Sequence, residues 1–296
     1  MTEEKKQFRH RLAWVSVCGI ISALMNRLLQ LFTAAVGLNS TFPGLALSYL
    51  FITVAAVLLP WVVLSSFQGG VRKCVTVQKH LPVFDNILLT AFGLGACITL
   101  NFLAMLLPSG DGGTGIQMGF EPMKILLLTG VMAAAPALCE ELAFRGIAQT
   151  ALDRGGTVYA AVVSSVVFGL LHNSLSSALF AFASGLLFAL LRYCSGRLLL
   201  PMLVHFLNNT IAVLALAAAN TFDQSLYQAL GLAVLIGGVF LMLSSLPVLL
   251  MRRILKPPSD GRTAQTALSV RQKLLNTVTC PVFDGFVLLT LLLKFW

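Results

Sequence analysis

Ala135-Pro136-Ala137-Leu138-Cys139-Glu140-Glu141-Leu142-Ala143-Phe144-Arg145-Gly146 closes a hydrophobic run that begins at Pro122. Two acids and an arginine stand in a stretch otherwise suited to lipid. Ionisable groups at bilayer depth cost roughly 2.5–3.5 kcal/mol each even on an insertion scale, so a chain keeps them there for a purpose. Adjacent helical residues point about 100° apart, and Glu140 and Glu141 therefore cannot share a direction. Glu141 and Arg145 are four apart, lie on one face and can pair, each shielding the other's buried charge. Glu140 is left over with its carboxylate directed elsewhere. This spacing assigns Glu140 the chemistry and Glu141 with Arg145 the support.

Two further polar sets lie downstream. Phe168-Gly169-Leu170-Leu171-His172 repeats the four-residue spacing, and His205-Phe206-Leu207-Asn208-Asn209 places His205 and Asn209 on one face. Counted from the basic connection 151–156 at 1.5 Å per residue, Glu140 and His172 lie roughly 16–24 Å up their helices. Counted from the 193–197 loop, His205 lies about 12–15 Å deep by the same rise. The three are therefore expected to meet in the middle of a bilayer.

The composition agrees with a membrane setting. The chain is 57% hydrophobic and only 10% charged, against about 25% charged residues in soluble domains. Its formal charge of +9 would point a soluble protein to nucleic acid. In a polytopic protein it reflects basic cytoplasmic loops instead, and no nucleic-acid partner is expected. A span needs about 20 apolar residues. The sequence offers eight: 12–37, 44–67, 86–107, 122–150, 157–173, 176–192, 198–218 and 225–251, the first interrupted by Asn26 and Arg27 and the fifth and sixth short. The fold class is thus all-α, a polytopic membrane helix bundle of about eight transmembrane helices.

Charge orients the bundle. Arg72, Lys73, Lys79, Arg154, Arg192 and Arg197 fall in the even-numbered connections, and Arg252, Arg253, Lys256, Arg262, Arg271 and Lys273 follow the eighth span. The odd-numbered connections hold Asp111, Glu121 and Asp223, with Lys124 nearby. That asymmetry places the N-terminus in the cytoplasm. Lys5, Lys6, Arg9 and Arg11 before an apolar run imitate a signal peptide, but the many later spans favour an uncleaved first helix.

The bundle is expected over 1–251 with a catalytic core at 122–215, followed by a basic cytoplasmic linker at 252–280 and a short interfacial or re-entrant segment at 281–296, or a short ninth span. A flexible outer loop is expected over 107–120. The six cysteines, Cys18, Cys74, Cys97, Cys139, Cys194 and Cys280, show neither C-x-x-C pairing nor zinc spacing and read as free thiols. His10 and His80 lie in basic inner-face regions and read as solvated. Asn101 reads as a helix-packing amide, and Arg27 either faces the bundle or marks a break in the first span.

A carboxylate beside an imidazole can take a proton from water and make it a nucleophile, while a second imidazole and an amide can donate to a tetrahedral oxyanion. Together these groups point to amide hydrolysis. Each polar set also has a plainer reading, because a buried Glu–Arg pair can be helix–helix glue and an intramembrane His a packing hydrogen bond. A proton-coupled transporter would likewise titrate Glu and His during its cycle, though no inverted repeat accompanies them here. The zinc signature H-E-x-x-H is absent, yet Glu140, His172 and His205 could supply three ligands to a zinc ion.

E-E-x-x-x-R, F-x-x-x-H and H-x-x-x-N, in this order on successive hydrophobic segments, resemble the CAAX protease and bacteriocin-processing (CPBP, or Abi) family, which includes the Ras-converting CAAX prenyl proteases. The likeness covers roughly 122–215, including Phe144-Arg145-Gly146 and Ser195-Gly196-Arg197. It implies an eight-helix intramembrane endopeptidase, often called a metalloprotease, in which Glu140 and His172 activate water, His205 and Asn209 stabilise the oxyanion, and Glu141 and Arg145 complete the first motif. No cofactor is required by that glutamate mechanism. The implied substrate is a membrane-anchored protein or peptide, and the implied setting a bacterial plasma membrane with a role in bacteriocin processing or self-immunity. A non-proteolytic immunity protein retaining the fold is the alternative.

Overall fold

The computed structural model describes residues 2–66, 81–107, 118–255 and 268–294. Cys74, His80, Arg72, Lys73, Lys79, Asp111, Lys256, Arg262 and most of the expected outer loop lie outside the described residues. The described elements are helices: α1 Glu3–Ala35, α2 Phe42–Val63, α3 Val83–Met105, α4 Pro122–Gly155, α5 Thr157–Leu170, α6 Leu175–Ser195, α7 Leu199–Ala219, α8 Gln224–Met251, α9 Val270–Val278 and α10 Pro281–Lys294. Seven of them are long and apolar enough to cross a membrane. The protein is a polytopic all-α bundle.

Its exterior is what a lipid-facing surface requires. Leu28, Phe32, Ile87, Leu126, Ile236, Phe240 and Leu243 are exposed, whereas Glu141, Arg145, Gln149, His205 and Asn208 are buried among the helices. Lipid tails are as apolar as Leu, so helices associate through close packing of small residues and interhelical hydrogen bonds. The contact of α3 with α8 shows this. A Cβ on Gly95 would stand 2.3 Å from the Gly238 carbonyl, and one on Gly238 would meet Ile98 at 2.6 Å.

Three departures from the sequence reading have physical reasons. α1 runs unbroken through Asn26 and Arg27, so Arg27 marks no break; it lines a cavity described below. α5 has 14 residues, about 21 Å at helical rise, against a hydrocarbon core of about 30 Å. The fifth expected span is therefore a short helix, and His172 stands in the turn beyond its end rather than on the helix. The basic stretch after α8 is not wholly a linker, because Ser269 and Gln272 form a reciprocal capping box that starts α9. α9 and α10 meet at a 60° bend. α10 packs along α1, its buried Phe286 seated against Gly19.

α4 departs from regular α geometry twice, over Thr129–Ala134 and Glu141–Ala148, each as a π-helical turn. Pro136 has no N–H, so the Met132 carbonyl four residues earlier has no α-helical donor. Between the two π turns, Ala135–Glu140 is α-helical and ends at Glu140. Ser174 caps α6 through a box with Ser177. Gly196, at φ 68°, ends α6 in a left-handed turn and lets α7 begin three residues later.

Candidate active site

Glu141 is the anchor. Its Oε1 accepts from Arg145 Nη1 at 3.0 Å and from His205 Nδ1 at 3.0 Å. The expected Glu141–Arg145 pair is present, with both side chains at most 1% exposed. The contact with His205, on a helix 64 residues away, had no signal in the spacing. Nε2 of the same imidazole faces Glu140 Oε2 at 3.8 Å. His205 thus stands between the two adjacent acids. Glu140 is 18% exposed while Glu141 is fully buried.

His172 follows the end of α5, where the last carbonyls lack helical donors. Its Nδ1 lies 2.9 Å from the Phe168 carbonyl. A carbonyl can only accept, so Nδ1 carries the proton and the neutral ring keeps its Nε2 lone pair free. The imidazole meets the Phe168 ring edge-on at 4.9 Å, which is why the F-x-x-x-H spacing still brings the two together beyond the helix.

The histidines are joined through a chain of ring and guanidinium contacts. Phe168 lies 4.4 Å beneath the Arg145 guanidinium and Phe188 lies 5.2 Å from it. Phe188 in turn stacks on His205 at 5.1 Å with 19° between the planes. Arg145 therefore holds Glu141 by charge and both imidazoles through phenyl rings. The second guanidinium nitrogen, Nη2, has no hydrogen-bond partner among the described residues. A Cβ on Gly185 would come within 3.0 Å of it and of Ser165 Cβ and Oγ. Phe188 and Gly185 belong to this site, and only the folded chain shows it.

Asn209 donates from Nδ2 to the Met132 carbonyl at 3.2 Å, within the first π turn of α4. Its Oδ1 accepts from Asn208 Nδ2 at 3.3 Å, and Asn208 Oδ1 accepts from Asn101 Nδ2 at 2.7 Å. Asn101 is thus an amide that joins α3 to α7, as its place in a span led one to expect, whereas the spacing does not single out Asn208.

A cavity of about 210 Å³ opens on His172, lined by polar groups from Asn26, Arg27, Gln30, His172, Asn173 and Lys294. Cys18, Cys97, Cys139, Cys194 and Cys280 are buried thiols. His10 is exposed and accepts from Trp14 Nε1 at 3.0 Å. Among the described residues, no three His, Cys, Asp or Glu side chains converge in a metal-holding group. Nδ1 of each site histidine is engaged, by Glu141 in one case and the Phe168 carbonyl in the other.

The chain's resemblances bear on this same region. It is 30% identical over 117 residues to a Bacillus subtilis (strain 168) protein named "Putative membrane peptidase YdiL", covering 39% of this chain. The chain spans about half the length of that relative, 47% of it. No solved structure matches. Residues 122–211, the segment carrying all three polar motifs, match the family model described as Rce1-like, type II CAAX prenyl endopeptidase Rce1-like.

Proposed function

We propose that this membrane protein is an intramembrane endopeptidase that hydrolyses a peptide bond of a membrane-associated protein or peptide. The observation that carries the reading is the approach of Glu140 and Glu141 to opposite nitrogens of the His205 ring inside an apolar bundle. Likeness to a peptidase family over this segment supports it.

In this reading Glu140, with the free Nε2 of His172, takes a proton from water, and the resulting hydroxide attacks the substrate carbonyl. Charge then develops on the carbonyl oxygen. Asn209 has a second amide N–H beyond the one given to Met132, and it donates to that oxygen. His205 donates from Nε2; because its Nδ1–H already serves Glu141, the ring must carry both protons to do so. The acquired proton passes to the leaving amine as the C–N bond breaks. The amides and cations around the 210 Å³ cavity suit the polar backbone of an extended peptide entering beside His172.

The mechanism runs on these side chains without a metal, and chelation is therefore expected to leave it intact. The setting we infer is a bacterial plasma membrane with the N-terminus cytoplasmic. The test is a library of membrane-anchored peptides in detergent, offered to wild type, Glu140→Gln and His172→Ala. Cleavage by wild type alone supports the reading; equal cleavage by all three removes Glu140 and His172 from the chemistry.

A further inference from the structure

We propose that Asn101 is a positioning residue for the oxyanion amide of Asn209, acting through Asn208. The inference rests on the proposed hydrolytic site and extends it to α3, outside the segment that carries the family likeness. Its basis is a chain of three side-chain amides that all donate in one direction: Asn101 to Asn208, Asn208 to Asn209, and Asn209 to the Met132 carbonyl.

An amide side chain can turn over and exchange its donor for its acceptor, and then Asn209 would present an oxygen where an oxyanion must bind. The Met132 carbonyl prevents this, because it only accepts and so admits only the NH2 end of Asn209. With Asn209 so placed, its Oδ1 demands a donor, which Asn208 gives. Asn208 Oδ1 then demands a donor in turn, and Asn208 is only 4% exposed. Asn101 supplies it with the shortest bond of the three, 2.7 Å. Removing it leaves the buried Asn208 carbonyl oxygen without a partner and frees the Asn208 side chain to swing away from Asn209. The bond at Asn209 Oδ1 is then no longer held in place from α3. The plainer alternative is interhelical glue between α3 and α7, which would act on stability without regard to Asn209.

The two separate in a double-mutant cycle. The substrate is the membrane-anchored peptide that wild type cleaves fastest, and thermal unfolding in detergent is recorded for each variant. Asn101→Leu is expected to lower kcat about 10-fold, less than the 10²–10³-fold of losing an oxyanion donor, with KM within about twofold. In an Asn209→Ala background the same change is expected to lower kcat no further. An equal loss in both backgrounds, a change in KM alone, or an undiminished kcat would overturn the role. Should Asn101→Leu not fold, Asn101→Ser enters the same cycle under the same criteria. If Asn209→Ala retains the wild-type rate, or if wild type cleaves none of the library, the hydrolytic reading of the site fails first and this inference falls with it.

Discussion

His205 Nδ1 and Arg145 Nη1 each approach the same oxygen of Glu141, Oε1, at 3.0 Å. One buried carboxylate oxygen therefore neutralises a guanidinium and fixes the direction of an imidazole. The consequence is a division of labour between adjacent acids. Glu141 faces inward as the anchor, and Glu140, about 100° around the helix, meets the other nitrogen of the same ring.

Glu141→Gln should be more damaging to the fold than Glu140→Gln. Removing one partner of a buried ion pair typically costs about 3–5 kcal/mol, because the remaining charge stays buried. Thermal unfolding in detergent should show a marked drop for Glu141→Gln and little change for Glu140→Gln. Equal melting of the two would contradict the anchor role.

Gly185→Ala should strain the site from the far side of Arg145, where a Cβ meets Nη2 and Ser165 at 3.0 Å. Overpacking of this kind costs about 1–3 kcal/mol, and turnover should fall with stability. Gly237→Ala is the control, since nothing lies within 4 Å of its Cβ position and Ala is favoured over Gly within a helix. Both are read by melting and by initial rates.

Phe188→Leu keeps an apolar side chain but removes the ring between Arg145 and His205. An aromatic contact contributes about 0.5–1.5 kcal/mol beyond area, so unfolding should shift modestly. The larger effect should appear in kcat, because the imidazole loses its stacking partner. A change confined to KM would argue that Phe188 serves substrate binding instead.

Asn209→Ala should lower kcat by about 10²–10³-fold with KM little changed, as expected when a donor to a developing oxyanion is removed. A rise in KM at constant kcat would instead identify Asn209 as a ground-state contact.

Much of this was legible in the chain because lipid makes polar residues conspicuous. Glu140, Glu141, Arg145, His172, His205 and Asn209 stood out by cost alone, and the i,i+4 rule paired Glu141 with Arg145. The rule had no reach across helices, so the Glu141–His205 bond and the place of Phe188, an ordinary apolar residue by sequence, emerged only on folding. Asn101 was visible as a polar residue in a span, but its link to Asn208 depends on how α3 meets α7. His172 was assigned to a helix because its surroundings are apolar; α5 ends at Leu170, and the imidazole itself caps the freed carbonyl. The use of the Met132 carbonyl by Asn209 likewise required the packed bundle.

The most direct measurement is the single-turnover rate of Glu140→Gln on the membrane-anchored peptide that wild type cleaves fastest, with matched unfolding curves and with chelator present and absent. The account predicts no detectable cleavage by a variant that melts like wild type, and a wild-type rate indifferent to the chelator. Cleavage by Glu140→Gln at the wild-type rate would contradict it.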